Sequence, residues 1–257
     1  NNTKVFTGQI HQIEQQLHLL RITVLSRFRE LVVQRKNLYF EKSTAAAIVG
    51  NLCQQADITP ARIDPGIQFP FYGLGDRASL YAHLRSLAEK CGFVLFADEN
   101  DHLFFGKSLP LKTMVFEVGS NILTLQLEDM PNRASQIEIY GESPASFGQG
   151  VPGASWLTKK EVKGTAGSQG PTRTIAMPEI RTLESAQSVA VALQQQQKPG
   201  KMGKLQVLGA AEVKLGQLIK INKLPSGSLT NLFTVLGFSH SIQAERGFIT
   251  TINIQAV

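Results

Sequence analysis

Apolar and polar residues alternate at both ends of this chain, and apolar residues recur at helical spacing only in between. Val5 to Ile13 and Leu17 to Leu25 are β-rich runs joined by the polar Glu14-Gln15-Gln16, a pattern that predicts a hairpin. Both of its faces are partly apolar, as expected for strands covered on both sides. A basic stretch (Arg27, Arg29, Arg35, Lys36) leads to a short strand at Leu38-Tyr39-Phe40. Ser43 or Thr44 can cap a following helix whose Ala47, Ile48, Leu52 and Cys53 share one side, and which ends before Pro60. A second helix starts at Asp76 or Ser79. Its Leu80, Leu84, Leu87 and Cys91 recur at 4, 3 and 4 residues, and Gly92 stands where a left-handed C-terminal residue belongs. Phe93 to Ala97 and Leu103 to Phe105 then flank the polar loop Asp98-Glu99-Asn100-Asp101-His102, a second hairpin.

Beyond this α+β stretch the pattern returns to strand at Ile122 to Leu127 and Gln136 to Tyr140. Between Glu142 and Arg173 it loosens: six glycines, three prolines and four serines in 32 residues predict an excursion or loop. Thr182 caps a third helix, Leu183 to Gln197, closed by Pro199-Gly200. The remainder is strand: Leu205 to Leu208, Leu215 to Ile221, Leu232 to Ile242 and Phe248 to Ile254. Strict alternation puts Leu232, Thr234, Leu236, Phe238, His240 and Ile242 on one face, which makes His240 a lone histidine on an apolar strand. A core histidine bonded to backbone is the expectation there, because no carboxylate or nucleophile stands at a readable spacing.

Composition narrows the function classes. The chain has 257 residues, 42% hydrophobic and 18% charged, with two cysteines and a net charge of +6. No apolar run approaches the ~18 residues of a membrane span. Cys53 and Cys91 each look like a small buried residue on a helix, and a disulfide between them would need those helices to face each other. The histidines His11, His18, His83, His102 and His240 show no zinc-ligand spacing. The positive charge is diffuse: 13 basic and 11 acidic residues up to Ser120, then 13 and 9. The one local cluster (Lys198, Lys201, Lys204, Lys214, Lys220, Lys223) lacks the interleaved aromatics of a single-strand-binding face, so a solvated face or an acidic protein partner is expected over nucleic acid. Asp98, Glu99 and Asp101 share a loop where like charges stay solvated, and Glu128-Asp129 have no partner group. No catalytic, cofactor-binding or metal-ligating residue is assigned, and no interaction residue is singled out.

The opening Val5-Phe6-Thr7 to His11-Gln12-Ile13 and the ending Leu232-Phe233-Thr234 to His240-Ser241-Ile242 share an apolar-Phe-Thr start and a His-x-Ile finish. This internal repeat implies that one kind of hairpin occurs twice, in two similar β-domains flanking the α+β stretch. With no initiating Met, the chain is expected to lack an upstream piece, the first strands of the first domain.

These residues resemble a known family. The order of a barrel remnant ending in Arg35-Lys36-Asn37-Leu38-Tyr39-Phe40, a helix, Leu80 to Gly92 with Phe93-Val94-Leu95-Phe96, and a terminal barrel is similar to the phage late control D and VgrG hub proteins of contractile tails. The strongest stretch is Gly209 through Leu215-Gly216-Gln217-Leu218-Ile219-Lys220-Ile221, then Phe233-Thr234-Val235, Ser239-His240 and Gly247-Phe248-Ile249-Thr250-Thr251. Gly141-Glu142-Ser143-Pro144-Ala145-Ser146 and Trp156-Leu157-Thr158-Lys159 look like the branch found in phage-tail-like contractile injection systems.

The resemblance implies a β-dominated α+β fold: a remnant of a first hub β-barrel at 1–37, a small α+β domain at 38–118, and a second barrel at 119–257 with a helical and loop insertion at 142–204. It implies a structural, non-enzymatic hub that forms a homotrimer and adapts the hexameric inner tube to the trimeric spike, with effector cargo as a further partner. A heterologous ring contact closing after three copies is the physical requirement. Such a protein is cytoplasmic during assembly and then part of a tail or injection particle, with no cofactor, nucleic acid or membrane span. The competing readings are a tail-tip cell-wall hydrolase, a nucleic-acid-binding module and an effector-loading adaptor.

Overall fold

The computed structural model describes residues 4–107, 111–130, 135–142, 162–196, 200–224 and 231–257. Along the chain run β1 (Gln9–Gln16), β2 (Leu19–Leu25), α1 (Phe28–Val33), β3 (Leu38–Thr44), α2 (Ala45–Gln55), β4 (Pro60–Ile63), β5 (Gln68–Leu74), α3 (Leu80–Cys91), β6 (Val94–Ala97) and β7 (Leu103–Gly106). There follow β8 (Met114–Glu117), β9 (Ile122–Met130), β10 (Gln136–Gly141), β11 (Lys163–Gly167), β12 (Thr172–Met177), α4 (Leu183–Gln196), β13 (Gly200–Leu208), β14 (Leu218–Asn222), β15 (Leu232–Gln243) and β16 (Gly247–Ala256). The fold is a β-dominated α+β fold that divides into two compact units.

One unit is a curled, half-barrel sheet in the order β8-β14-β15-β16-β13-β9. Its inner face buries Phe116, Leu205, Val207, Ile219, Ile221, Phe233, Val235, Ile252 and Ile254. The outer face carries a polar rung, in which Thr124 donates to Gln206 and Gln206 donates to Thr251 across β9, β13 and β16, beside the exposed Val115, Leu208 and Leu236. In β15 the strict alternation breaks. A bulge between Val235 and Gly237 inserts an extra residue in β15, so Phe233 and Val235 point inward before it and Phe238 and His240 after it. The single face expected for Leu232 to Ile242 therefore does not exist: Leu236 is exposed, and only Phe238, His240 and Ile242 of the expected set share a face beyond the bulge.

The other unit packs α2, α3 and α4 on short sheets, β3-β5, β4-β7-β6 and β11-β10-β12, over one core. The helix signals act as expected. Thr44 accepts from the Ala47 amide (3.2 Å) and Ser79 from the Ala82 amide (3.3 Å), while Thr182 accepts from Ser185 (3.1 Å). Gly92 closes α3 at φ 66°, a conformation that costs a residue with a Cβ more than it costs glycine. Ala45, Ile48, Val49, Leu52 and Cys53 of α2 and Leu80, Leu84, Leu87 and Ala88 of α3 are buried together. Cys53 and Cys91 lie on these helices as free thiols, and burial pushes the pKa of both up, that of Cys53 to about 11. Lys90 is also buried; Glu179 pairs with it at 2.9 Å and Ser86 accepts from it at 2.7 Å.

The basic stretch after β2, expected as a connector, folds as the short helix α1. The loose segment from Glu142 on contains β11 and β12, on either side of β10; the part at 143–161 lies outside the described residues. Helix α4 approaches β11 closely enough that Gly164 has no room for a side chain. There Gln187 imitates a neighbouring strand: its amide donates to the Thr165 carbonyl (2.9 Å) and accepts from the Thr165 amide (3.1 Å). Gln194 donates to the Ser135 carbonyl and Gln196 to the Glu89 carbonyl, so three glutamines of α4 are spent on backbone.

Candidate functional site: an anchored hairpin with an uncovered face

The β1–β2 hairpin turns at Leu17-His18, and the polar Glu14-Gln15-Gln16 expected as its turn belongs to β1. Ile10 pairs with Val24, Ile13 with Ile22 and Gln15 with Leu20. Ile10 and Ile13 are three apart, an odd spacing that alternation alone would put on opposite faces. A bulge between Ile10 and Gln12, with His11 as the extra residue, restores them to one side. The result is a ribbon with one mainly apolar and one mainly polar face, both partly apolar as expected. One face carries Ile10, Ile13, Leu20, Ile22 and Val24 with Gln15; the other carries Gln12, Glu14, Arg21 and Thr23 with Leu19 and Leu25, and Arg21 and Glu14 pair there at 3.3 Å.

The five apolar side chains are between 37% and 63% exposed, and Leu17 at the tip is 91% exposed. Contiguous exposed apolar patches of this kind are characteristic of interaction surfaces in general. Covering half of each side chain would contribute about 4–7 kcal/mol, at roughly 1.5–3 kcal/mol for a fully buried one.

The root of the ribbon is fixed. Asp101, buried in the β6–β7 loop, accepts from the Ser26 hydroxyl with one oxygen and from the Arg27 amide (2.8 Å) with the other. Ser26 in turn accepts from the Phe28 amide (3.0 Å). Thr7 donates to the Glu99 carbonyl (2.8 Å), and Arg27 pairs with Asp57 (2.8 Å). The acidic loop is therefore not a solvated cluster of like charges: Asp101 is a buried structural acceptor, and Asp98 accepts from the Asn100 and His102 amides. Its chemistry is that of a clamp, because both carboxylates spend their lone pairs on the chain.

Other sequence candidates fall elsewhere. His240 is half-buried between the rings of Phe238 and Phe248, and its Nδ1 lies 2.9 Å from the Thr250 hydroxyl, a side-chain partner in place of the expected backbone one. Of the lysine cluster, Lys201 pairs with Asp129 (2.9 Å) and Lys223 with Glu117, while Lys198 lies outside the described residues. In the repeat, the His-x-Ile finish lies in β1 and β15, but Val5-Phe6-Thr7 precedes β1 whereas Leu232-Phe233-Thr234 forms the first rungs of β15. An open depression of about 430 Å³ beside α3 and α4 is lined by Cys91, Lys107, Gln187, Ser188 and Gln195. Burial disfavours the thiolate of Cys91, the form a nucleophile needs. Among the described residues, no group of three or more His, Cys, Asp or Glu side chains is placed to hold a metal ion, and no helix is long and apolar enough to cross a membrane.

The fold is that of phage tail proteins and of a chain in a Francisella PdpA-VgrG complex. It matches the 43 kDa tail protein of prophage MuSo2 from Shewanella oneidensis with a TM-score of 0.71 and 17% identity, over 97% of this chain and 79% of that one. A tail protein from Neisseria meningitidis matches with a TM-score of 0.68 and 13% identity, over 98% and 80%. An Escherichia coli component of the type VI secretion system, described as structurally similar to bacteriophage T4 tail proteins, matches with a TM-score of 0.51 and 11% identity, over 95% and 63%. No protein-family model matches the sequence, and no curated protein does.

Proposed function

We propose that the chain is a structural hub protein at the centre of a contractile tail or injection device, adapting a hexameric inner tube to a trimeric spike as a homotrimer. The observation that carries this reading is the likeness to tail proteins across 97–98% of the chain, spanning both compact units. Two further features support it. The β1–β2 ribbon presents an apolar face on an anchored root, as the closing hairpin of a first hub barrel at 1–37 would. The curled sheet, which takes β8 from just before 119–257, leaves β8 and β9 as edge strands, unpaired on their outer sides among the described residues, as expected of a unit that meets neighbours in a ring. Residues 38–118 form the α+β part in this reading, and 142–204 the insertion of the second barrel.

The role is non-enzymatic and the protein works as part of the particle, after assembly in the cytoplasm. Light scattering on the chain, alone and mixed with the spike protein of the same particle, tests it. A mass of three copies, alone or bound to one spike trimer, is the expected result. A monomer that ignores the spike at tens of micromolar would remove the hub reading.

A further inference from the structure

We propose that His240, Thr250 and the amide of Ala210 form a proton-sensitive latch between the β15–β16 hairpin and the connection from β13 to β14. The Thr250 side chain is fully buried on the inner face of β16, opposite Val207 and two residues from Ile252. Its Oγ1 accepts from the Ala210 amide at 3.1 Å and lies 2.9 Å from His240 Nδ1. A hydroxyl has one hydrogen to give. With the amide occupying a lone pair of Oγ1, that hydrogen is best used on Nδ1, which makes Nδ1 the acceptor and places the imidazole proton on Nε2.

Protonation reverses the polarity. Nδ1 becomes a donor that takes the second lone pair of Oγ1 beside the Ala210 amide, and the threonine hydrogen must turn toward an apolar core; an unmet donor there is costly, and the side chain relieves it by rotating off the amide. The connection feels this directly. It is tied to the hairpin by Gly209, whose amide donates to the Phe248 carbonyl (2.9 Å), and by Ala210; beyond them Val213 is buried and Gln217 donates to the Lys112 carbonyl (2.8 Å). Loss of the Ala210 contact therefore loosens residues 209–217 from the end nearest the histidine.

The flanking elements hold the charged residues nearest to His240 along the fold's connections. These are Glu212 and Lys214 in the connection and Glu245 and Arg246 in the hairpin turn; β15 and β16 carry none besides the histidine. Burial between Phe238 and Phe248, rather than a neighbouring charge, favours the neutral ring and holds its protonation below the usual histidine range. The latch is thus closed at neutral pH and opens on mild acidification.

The test is NMR on the full chain. Imidazole nitrogen shifts at about pH 7.5 give the tautomer, and amide exchange from about pH 7.5 to about pH 5 gives the Ala210 protection factor. The expected results are the Nε2–H tautomer and an Ala210 protection that falls about fivefold or more, the loss of one ordinary hydrogen bond. His240→Gln should flatten that dependence, and Thr250→Ser, which keeps the hydroxyl, should preserve it. An Nδ1–H tautomer, a flat profile in the wild type, or the same fall in His240→Gln would overturn the proposal.

Discussion

Replacing Gly164 by alanine should loosen helix α4 from its sheet, by an amount the geometry sets. A Cβ built there would lie 2.2 Å from both the carbonyl carbon and oxygen of Ala186 and 2.4 Å from the Gln187 amide nitrogen, all backbone. None of these atoms can rotate aside, so α4 must move outward by roughly an ångström, an overpacking cost of about 1–3 kcal/mol. The same movement stretches both hydrogen bonds between Gln187 and Thr165, each worth about 0.5–1.5 kcal/mol. The sum is a loss of about 2–6 kcal/mol. Gln187→Ala alone, which keeps the helix in place but orphans the Thr165 amide and carbonyl, should cost about 1–3 kcal/mol. Because both changes act on one contact, the double variant should cost less than the sum of the two. Urea unfolding of the three variants, followed by far-ultraviolet circular dichroism, measures all of this. A Gly164→Ala cost below about 1 kcal/mol, or strict additivity with Gln187→Ala, would refute the reasoning.

Asp101→Asn turns one of two acceptors at the hairpin root into a donor, and should cost about 1–3 kcal/mol, read as faster amide exchange in β1 and β2 than in α3. Ile13→Lys with Ile22→Lys places charge on the uncovered face; the folded chain should change by less than about 0.5 kcal/mol in thermal unfolding, while self-association or spike binding in light scattering is lost. Arg62 beside Asp64, and the Lys107 amide bonded to it, hold that carboxyl below its usual 3.8. Its contribution to stability is therefore present above about pH 4 and lost as pH falls through the lowered value, and Asp64→Asn should flatten acid unfolding in that window. His240 works in the same direction at higher pH: the folded ring resists the proton that the unfolded chain accepts near 6.5, so stability declines as pH falls from there to the folded value.

Local signals in the sequence were legible where one residue type does one job. Thr44, Ser79 and Gly92 sit at the helix ends their chemistry demands, and Leu80, Leu84 and Leu87 face the core their spacing implied. Strands β4 and β5 were not visible, because β4 has four residues and Pro70 and Gly73 interrupt the pattern of β5. Alternation failed at the bulges in β1 and β15. Ile10 and Ile13 did carry a signal, an odd spacing inside an otherwise regular strand, whereas nothing in Val235-Leu236-Gly237 beyond the glycine announced the second. The anchor at the hairpin root was hidden for a different reason: Ser26 and Asp101 are 75 residues apart and meet only when the chain has folded. The same holds for Gln187 and Thr165, whose pairing makes a glutamine-rich helix look merely polar in sequence.

The most direct measurement of the hub proposal is electron cryomicroscopy of the intact particle that contains this chain. Density for three copies at the junction of inner tube and spike, with the apolar face of the β1–β2 ribbon covered, is the predicted result. Particles in which the chain is absent from that junction, or lies there in six copies, would contradict it.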